Sequence, residues 1–165
     1  KKGRLTVSDQ QKAGTFLLEI PKLGQKFDET KITKLSVESS VYGMLYAFDH
    51  LYMMGNRKLT RAKILPDGNL GPVEFMAEMA GGGEHGPHSI IISPDGKSIY
   101  VIAGNATKPP EFINSRIPTN WKDDVLLENY AYGHMSQNKA PGGWVMKMSP
   151  DGKNREIITI GRANT

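Results

Sequence analysis

The chain of 165 residues contains no cysteine, so disulfide bonds and thiolate metal sites are excluded. This absence leaves the compartment open, because cysteine-free proteins are common in periplasm and cytoplasm alike. No apolar run is long enough to cross a membrane as a helix, and no secretory signal peptide is visible at Lys1. A phosphate loop is also excluded, because no Gly-Lys-Ser or Gly-Lys-Thr follows the glycine run at 81–83.

Aromatic residues are few, at 8% of the chain, and this bears on the choice of partner. Residues 1–34 hold eight Lys and Arg against four acidic residues, so they carry the whole net charge of +4. Aromatic residues do not alternate with these lysines, as a stacking platform for single-stranded nucleic acid would require. We therefore expect a solvated basic surface and no nucleic-acid partner.

Glycine and proline are plentiful, which favours many turns between short strands over long helices. Alternating apolar and polar residues between turn residues indicate strands. The predicted strands cover residues 5–9, 15–20, 31–37, 43–48, 51–54, 59–65, 73–79, 89–92, 99–103, 143–148 and 156–160. The sequence therefore predicts an all-β protein.

The strands repeat with a period typical of β-propeller blades. The aliphatic start of an equivalent strand recurs at Leu5, Leu51 and Ile99, separated by 46 and 48 residues. This spacing predicts a partial β-propeller over 1–165, with about three blades at 1–38, 39–80 and 81–160, the first lacking one strand. Because three blades do not close a ring, we expect the chain to be a segment of a longer protein. A complete β-sandwich is the alternative, although it does not explain the period.

A long insertion at about 106–141 interrupts the last blade. Loops of this length inside a compact fold are usually functional or disordered. This insertion holds Trp121, His134 and other aromatic residues, so a disordered tail is disfavoured. We expect an ordered lid over the face where the loops of the blade emerge.

Two histidines follow the glycine run, in Glu84-His-Gly-Pro-His88. A histidine can act as a general base if a carboxylate orients it, and Glu84 is adjacent to His85. Together His85 and His88 could bind a metal ion, but no third ligand at a fixed spacing accompanies them. A third interpretation is that both histidines only bond the loop backbone.

Other candidate ligand contacts are scattered. Trp121 offers a planar surface for stacking, and Arg116 and Arg162 offer guanidinium groups suited to a carboxylate. His134 lies in the insertion, and Asn105 ends the predicted strand pair that follows His85. We predict that these five residues contact a cofactor.

The stretch from Gly81 to Asn105 resembles the propeller of large bacterial secreted proteins described as membrane-bound dehydrogenases, of the planctomycete haem-binding type. The resemblance extends to Ser115–Trp121, Ala140–Trp144 and Ser149–Lys153. Gly3–Gln10 and Gly43–Asp49 fit as well, so the resemblance covers nearly the whole chain. The wider fold group is similar to glucose and sorbosone dehydrogenases that use pyrroloquinoline quinone (PQQ).

The resemblance implies an enzyme that oxidises sugars or alcohols in the periplasm or outside the cell, with PQQ and calcium as cofactors. In the wider group the general base lies nine residues before the proline of a Pro-Asp-Gly turn, the distance from His85 to Pro94. The group also has an Arg-Asn pair near the quinone, and here Gly161-Arg-Ala-Asn164 places Arg162 one position away. Any haem and its c-type cytochrome domain would lie outside this chain, because it has no Cys-x-x-Cys-His.

Two further functions stay open. One is a non-catalytic propeller that binds a glycan or a protein, since one fold serves many functions. The other is a hydrolase with a metal ion at His85 and His88. No metal ligand is assigned from the sequence.

Overall fold

A computed structural model gives the fold and describes residues 3–9, 13–28, 31–35, 40–55, 57–81, 85–110, 114, 116–117 and 142–161. It contains eleven strands. They are β1 (Arg4–Ser8), β2 (Thr15–Glu19), β3 (Ile32–Leu35), β4 (Val41–Ala47), β5 (His50–Gly55), β6 (Lys58–Ile64), β7 (Leu70–Glu78), β8 (Pro87–Ile92), β9 (Ile99–Ala103), β10 (Trp144–Met148) and β11 (Arg155–Ile160). The prediction of an all-β chain is confirmed.

The strands form three antiparallel sheets in chain order. Sheet 1 contains β1–β3, sheet 2 contains β4–β7 and sheet 3 contains β8–β11, and within each sheet consecutive strands pair side by side. In each sheet, strands that follow one another in the chain are therefore neighbours, which is the meander arrangement. Sheet 1 spans residues 4–35, sheet 2 residues 41–78 and sheet 3 residues 87–160.

Residues with turn-forming chemistry connect the strands. Phe48 and Asp49 both have positive φ, at 51° and 56°, and form the two-residue turn between β4 and β5. The strands predicted at 43–48 and 51–54 leave Asp49 and His50 for this turn, but His50 pairs with Ala47 as the first residue of β5. The turn position was therefore wrong by one residue, because Phe48 adopts a conformation that bulky residues rarely take.

The Ser-Pro-Asp-Gly turns after β8 and β10 are built alike. In each, the serine hydroxyl donates to the aspartate carboxylate, and this bond lowers the pKa of Asp95 and of Asp151. A backbone N–H two residues after each aspartate donates to the same carboxylate oxygen. These two turns are not equivalent in the repeat, because one joins the first two strands of sheet 3 and the other joins its last two.

The main core lies between sheets 2 and 3. Alternation along each strand directs every second side chain to this core. It contains Ala47, Tyr52, Met54, Leu59, Ala77 and Met79 of sheet 2 and the segment that follows it, and Ile90, Ile99, Val101, Ala103, Trp144, Met146, Met148 and Ile157 of sheet 3. A smaller cluster of Val41, Leu51, Met53 and Ala62 lies on the opposite face of sheet 2. Both faces of sheet 2 are therefore buried.

Exposure at the repeated strand position shows how the sheets follow one another. Leu51 is 5% exposed and Ile99 is 0% exposed, whereas Leu5 is 52% exposed. Ile99 packs toward sheet 2, and Leu51 lies on the face of sheet 2 that is turned away from sheet 3. In the described part of the chain no further sheet covers the side of sheet 1 that carries Leu5.

A hydrogen-bond network holds the turn after β10 against sheet 2. The Tyr52 hydroxyl donates to the Pro150 carbonyl at 2.8 Å, and Arg61 Nη1 donates to the same oxygen at 2.7 Å. In the other direction, Nη2 of Arg155 in sheet 3 donates to the Met76 carbonyl in sheet 2 at 2.7 Å. Burial is the main cause that raises the pKa of Tyr52. These bonds fix the relative position of the two sheets.

We expect Tyr52→Phe to lower the free energy of unfolding by about 1 kcal/mol, the net contribution of one hydrogen bond. The loss should stay small because Arg61 continues to donate to the Pro150 carbonyl. Urea unfolding measures it, with Tyr46→Phe, at a position 58% exposed, as the matched control. An equal effect of both variants would show that the Tyr52 bond does not hold the sheets together.

Candidate functional site

His85 lies in the connection between sheets 2 and 3, where backbone bonds fix it. Its carbonyl accepts a hydrogen bond from the Ala106 N–H at 3.0 Å, and the Gly86 carbonyl accepts one from the Gly104 N–H at 3.0 Å. A Cβ on Gly104 would lie 2.6 Å from the His85 carbonyl oxygen, so only glycine permits this approach. The His85 side chain is half-buried. The loop that carries His85 is therefore held against the end of β9.

The glycine run contributes to packing at its first residue. Gly81 has φ of 95°, and a Cβ there would lie 2.3 Å from the Ala106 carbonyl oxygen. A run of glycines can let the backbone approach a ligand closely. At Gly81 the space is taken by the chain's own residues 106 and 107, whereas Gly82 and Gly83 lie outside the described residues.

Asn105 lies beside the same loop, so the structure brings it together with His85. Its flanking residues make the bonds to His85 and Gly86, and a Cβ on Gly142 would lie 2.6 Å from the Asn105 carbonyl oxygen. The neighbouring Thr107 is 1% exposed, and its hydroxyl has no hydrogen-bond partner in the described part of the chain. This end of sheet 3 thus combines polar side chains with closely packed backbone.

All the longer connections around sheet 3 meet at this end, which we call the connection end. The chain enters β8 there through His85, leaves β9 there for the insertion, and leaves β11 there at Gly161. Gly143 links two of these segments, since its N–H donates to Thr107 and its carbonyl accepts from Gly161. Among the described residues, the two Ser-Pro-Asp-Gly turns lie at the opposite end.

Arg116 lies elsewhere, and the structure does not bring it to His85. Its backbone N–H donates to the Ile157 carbonyl of β11, and its Nε donates to Glu156 Oε1 at 2.8 Å. This ion pair raises the pKa of Arg116. β9 and β10 lie between β11 and β8. The two edges of sheet 3 are therefore three strand spacings apart, a total of about 14 Å. The guanidinium group already has a carboxylate partner at the far edge.

The described parts of the insertion pack on sheet 3. The Lys108 carbonyl accepts a bond from the Trp144 indole N–H at 3.1 Å, and Asn114 and Arg116 both bond to Ile157 at the outer edge. We predicted a lid over the emerging loops. Most of this insertion lies outside the described residues, so the lid stays a prediction. The described Asn114 and Arg116 lie along the edge of the sheet, where β11 has one side without a strand partner among the described residues.

Four predicted site residues lie outside the described residues. They are Glu84, Trp121, His134 and Arg162. The pairing of Glu84 with His85 and the cofactor contacts of the other three therefore stay predictions.

His88 is separated from His85 by Gly86 and Pro87. It lies in β8, half-buried, with Nδ1 3.4 Å from the hydroxyl of Ser89. Among the described residues no group of three or more His, Asp or Glu side chains is arranged to hold a metal ion. The described geometry thus gives the two histidines no third metal ligand.

An open groove of about 620 Å³ lies away from these residues, at the turn end of sheet 3. Ser98, Lys147, Asn154 and Glu156 contribute to its lining. It is wide and has charges of both signs, and neither His85 nor Asn105 reaches it. We therefore place the candidate site at the connection end, where the histidine chemistry lies.

No protein-family model and no curated protein sequence matches this chain. In the described residues no helix is long and apolar enough to span a membrane. The function is therefore inferred from the residues at the connection end and from the repeat.

Proposed function

We propose that the three sheets are consecutive blades of a β-propeller. A similar hydrogen bond joins sheet 1 to sheet 2 and sheet 2 to sheet 3, and this supports the proposal. Arg4 of β1 donates to the Asp67 carbonyl in the turn between the last two strands of sheet 2, at 3.4 Å. Tyr52 of β5 donates to Pro150 in the corresponding turn of sheet 3. Each sheet therefore meets the next through equivalent elements, as rotationally related blades do.

We further propose that this propeller oxidises a sugar or alcohol hydroxyl, with His85 as the general base. The supporting observation is that His85 is a half-buried imidazole in a loop held by backbone bonds at the connection end. A base that is already held in position lowers the entropic cost of bringing it to the proton that it accepts. The His85 imidazole accepts the proton of the substrate hydroxyl, which leaves the oxygen able to form a carbonyl as hydride departs from carbon.

The described residues do not fit a site for PQQ or calcium. The three carboxylates of PQQ need cations, and Arg116 is already paired with Glu156 at the far edge. Calcium needs several oxygen ligands, and no acidic group of three lies in the described part. The quinone supplies the hydride acceptor when bound, and we expect its contacts to come from Trp121, His134, Arg162 and the remainder of a longer protein.

The proposed function predicts turnover that depends on the quinone. The experiment supplies the longer protein that contains this chain with PQQ, calcium and an electron-accepting dye, and tests a panel of aldoses and alcohols. We expect dye reduction with at least one substrate and none when PQQ is omitted. Absence of turnover with every substrate by a folded protein would contradict the proposal. A periplasmic or secreted location and a c-type cytochrome acceptor belong to the same proposal.

A non-catalytic propeller that binds a glycan or a protein is the second candidate. The Arg116–Glu156 ion pair favours it, because the guanidinium group of Arg116 is then not free to bind an anionic cofactor. A thermal-shift titration separates the two candidates. Stabilisation by PQQ with calcium supports the dehydrogenase, and a response to glycans alone supports the binding protein.

A further inference from the structure

The first strands of sheets 2 and 3 carry a β-bulge at the same position. In β8 the register shifts between Pro87, opposite Ala103, and Ser89, opposite Ile102, so His88 is the extra residue. In β4 it shifts between Val41 and Gly43. Tyr42 is therefore the extra residue there, and bulges redirect side chains and occur often beside functional sites.

These two bulges are equivalent in the repeat. Gly43 pairs with Met54 and Ser89 pairs with Ile102, and Met54 and Ile102 both lie three residues after the repeated positions Leu51 and Ile99. Tyr42 and His88 therefore occupy the same place in successive sheets. This correspondence is a property of the pairing register, which the sequence pattern alone does not show.

The bulges are also neighbours in space. β4 contacts β8, and a Cβ on Gly43 would lie 2.1 Å from the His88 carbonyl oxygen. With a spacing of about 3.8 Å between consecutive Cα atoms, the Cα atoms of Tyr42 and His88 lie within about 10 Å of each other. The two bulges therefore lie side by side where β4 meets β8.

The chemistry of this edge suits a neutral ligand. Neither β4 nor β8 contains Asp, Glu, Lys or Arg. The Tyr42 and His88 side chains are both half-buried, and each offers a ring face with a polar group. β4 and β8 are edge strands of their sheets, and at this point Gly43 of β4 packs against the His88 carbonyl of β8.

We propose that Tyr42 and His88 form a binding site for a neutral, ring-shaped ligand that carries hydroxyl groups, and that the uncharged edge excludes anions. The proposal rests on the proposed function in taking the edge beside His85 as the ligand-facing side. It assigns to His88 a role in binding, distinct from the proton transfer assigned to His85. Discrimination against anions follows because a phosphate or carboxylate would lose water there without gaining a cation.

NMR titration of this chain tests the proposal, with D-glucose as the neutral probe and D-glucose 6-phosphate as the anionic probe. We expect glucose to shift the ring signals of His88, and the phosphate to bind at least tenfold more weakly. Tyr42→Ala and His88→Ala should each weaken glucose binding about tenfold or more. The conservative Tyr42→Phe and His88→Gln variants guard against loss of fold, and each should bind more tightly than the corresponding alanine variant.

Tyr46→Ala, on the same strand but outside the bulge, is the matched control and should bind like the unmodified chain. The proposal is overturned if glucose shifts no signal at 100 mM, if the control weakens binding as much as Tyr42→Ala, or if the phosphate binds equally well. Binding measurements test this proposal, whereas turnover measurements test the proposed function. Loss of turnover in His85→Ala with glucose binding retained would support both, whereas binding without turnover in the unmodified longer protein would support this site alone.

Discussion

Gly43→Ala should destabilise the fold by about 3 kcal/mol, at the upper end of the cost of overpacking. The added Cβ would lie 2.1 Å from the carbonyl oxygen of His88 and 2.9 Å from its carbonyl carbon. Both are backbone atoms of β8, so no side chain can rotate to relieve the collision, and sheets 2 and 3 would have to separate. For a chain of this size the change lowers the Tm by roughly 6–12 °C.

Gly71→Ala is the matched control for this prediction. Gly71 also lies in a strand of sheet 2, but a Cβ there would have its nearest neighbour at 3.5 Å, an ordinary contact. Alanine should therefore be tolerated at position 71, and thermal unfolding of the two variants gives the comparison. If Gly43→Ala unfolds at the temperature of Gly71→Ala, β4 and β8 are not in contact as described.

The strands and turns were the most predictable part of the structure, because their causes are local. Alternation such as that of Ile99, Val101 and Ala103 marks one buried face whatever lies opposite. The Pro-Asp-Gly turns carry their own hydrogen-bond partners within a few residues. The division into three sheets was expected from the period of the strand repeat. All the strands of one sheet precede those of the next in the chain.

The candidate site was predictable only in part, because its contacts join distant parts of the chain. The spacing from His85 to Pro94 identified the loop, but not that Gly104 and Ala106 hold it. Arg116 has a suitable side chain for a carboxylate ligand, yet Glu156, forty residues away, already supplies its carboxylate.

The bulge at His88 was not predictable from the sequence. Pro87 and His88 lie just before the strand predicted at 89–92, and the extra residue appears only when the partners on β9 are known. A histidine that was considered as a metal ligand thus becomes a candidate for binding a neutral ligand. The same reasoning identifies Tyr42, which no sequence motif singles out.

His85→Ala should lower kcat/KM for the oxidised substrate by roughly 10² to 10⁴, the contribution of a general base. The His85 imidazole is half-buried at the connection end, and backbone hydrogen bonds hold the loop that carries it. Alanine keeps that backbone path and removes only the proton acceptor. KM should change little, because in this account Tyr42 and His88 bind the substrate. Steady-state kinetics with the quinone and calcium present measures both parameters.

His50→Ala provides the matched histidine control. His50 begins β5 and its Nδ1 lies 2.6 Å from the Phe48 carbonyl oxygen, in the turn at the opposite end of sheet 2. We expect this variant to keep the kcat/KM of the unmodified protein. A loss equal to that of His85→Ala would indicate damage to the fold rather than to a base.

The most direct test of the whole account is the ratio of kcat/KM between His85→Ala and His50→Ala, measured in the longer protein with PQQ and calcium. The account predicts that His85→Ala is slower by at least 10², the lower bound for loss of a general base. Equal rates in the two folded variants would contradict it, because the connection end would then hold no catalytic base at His85.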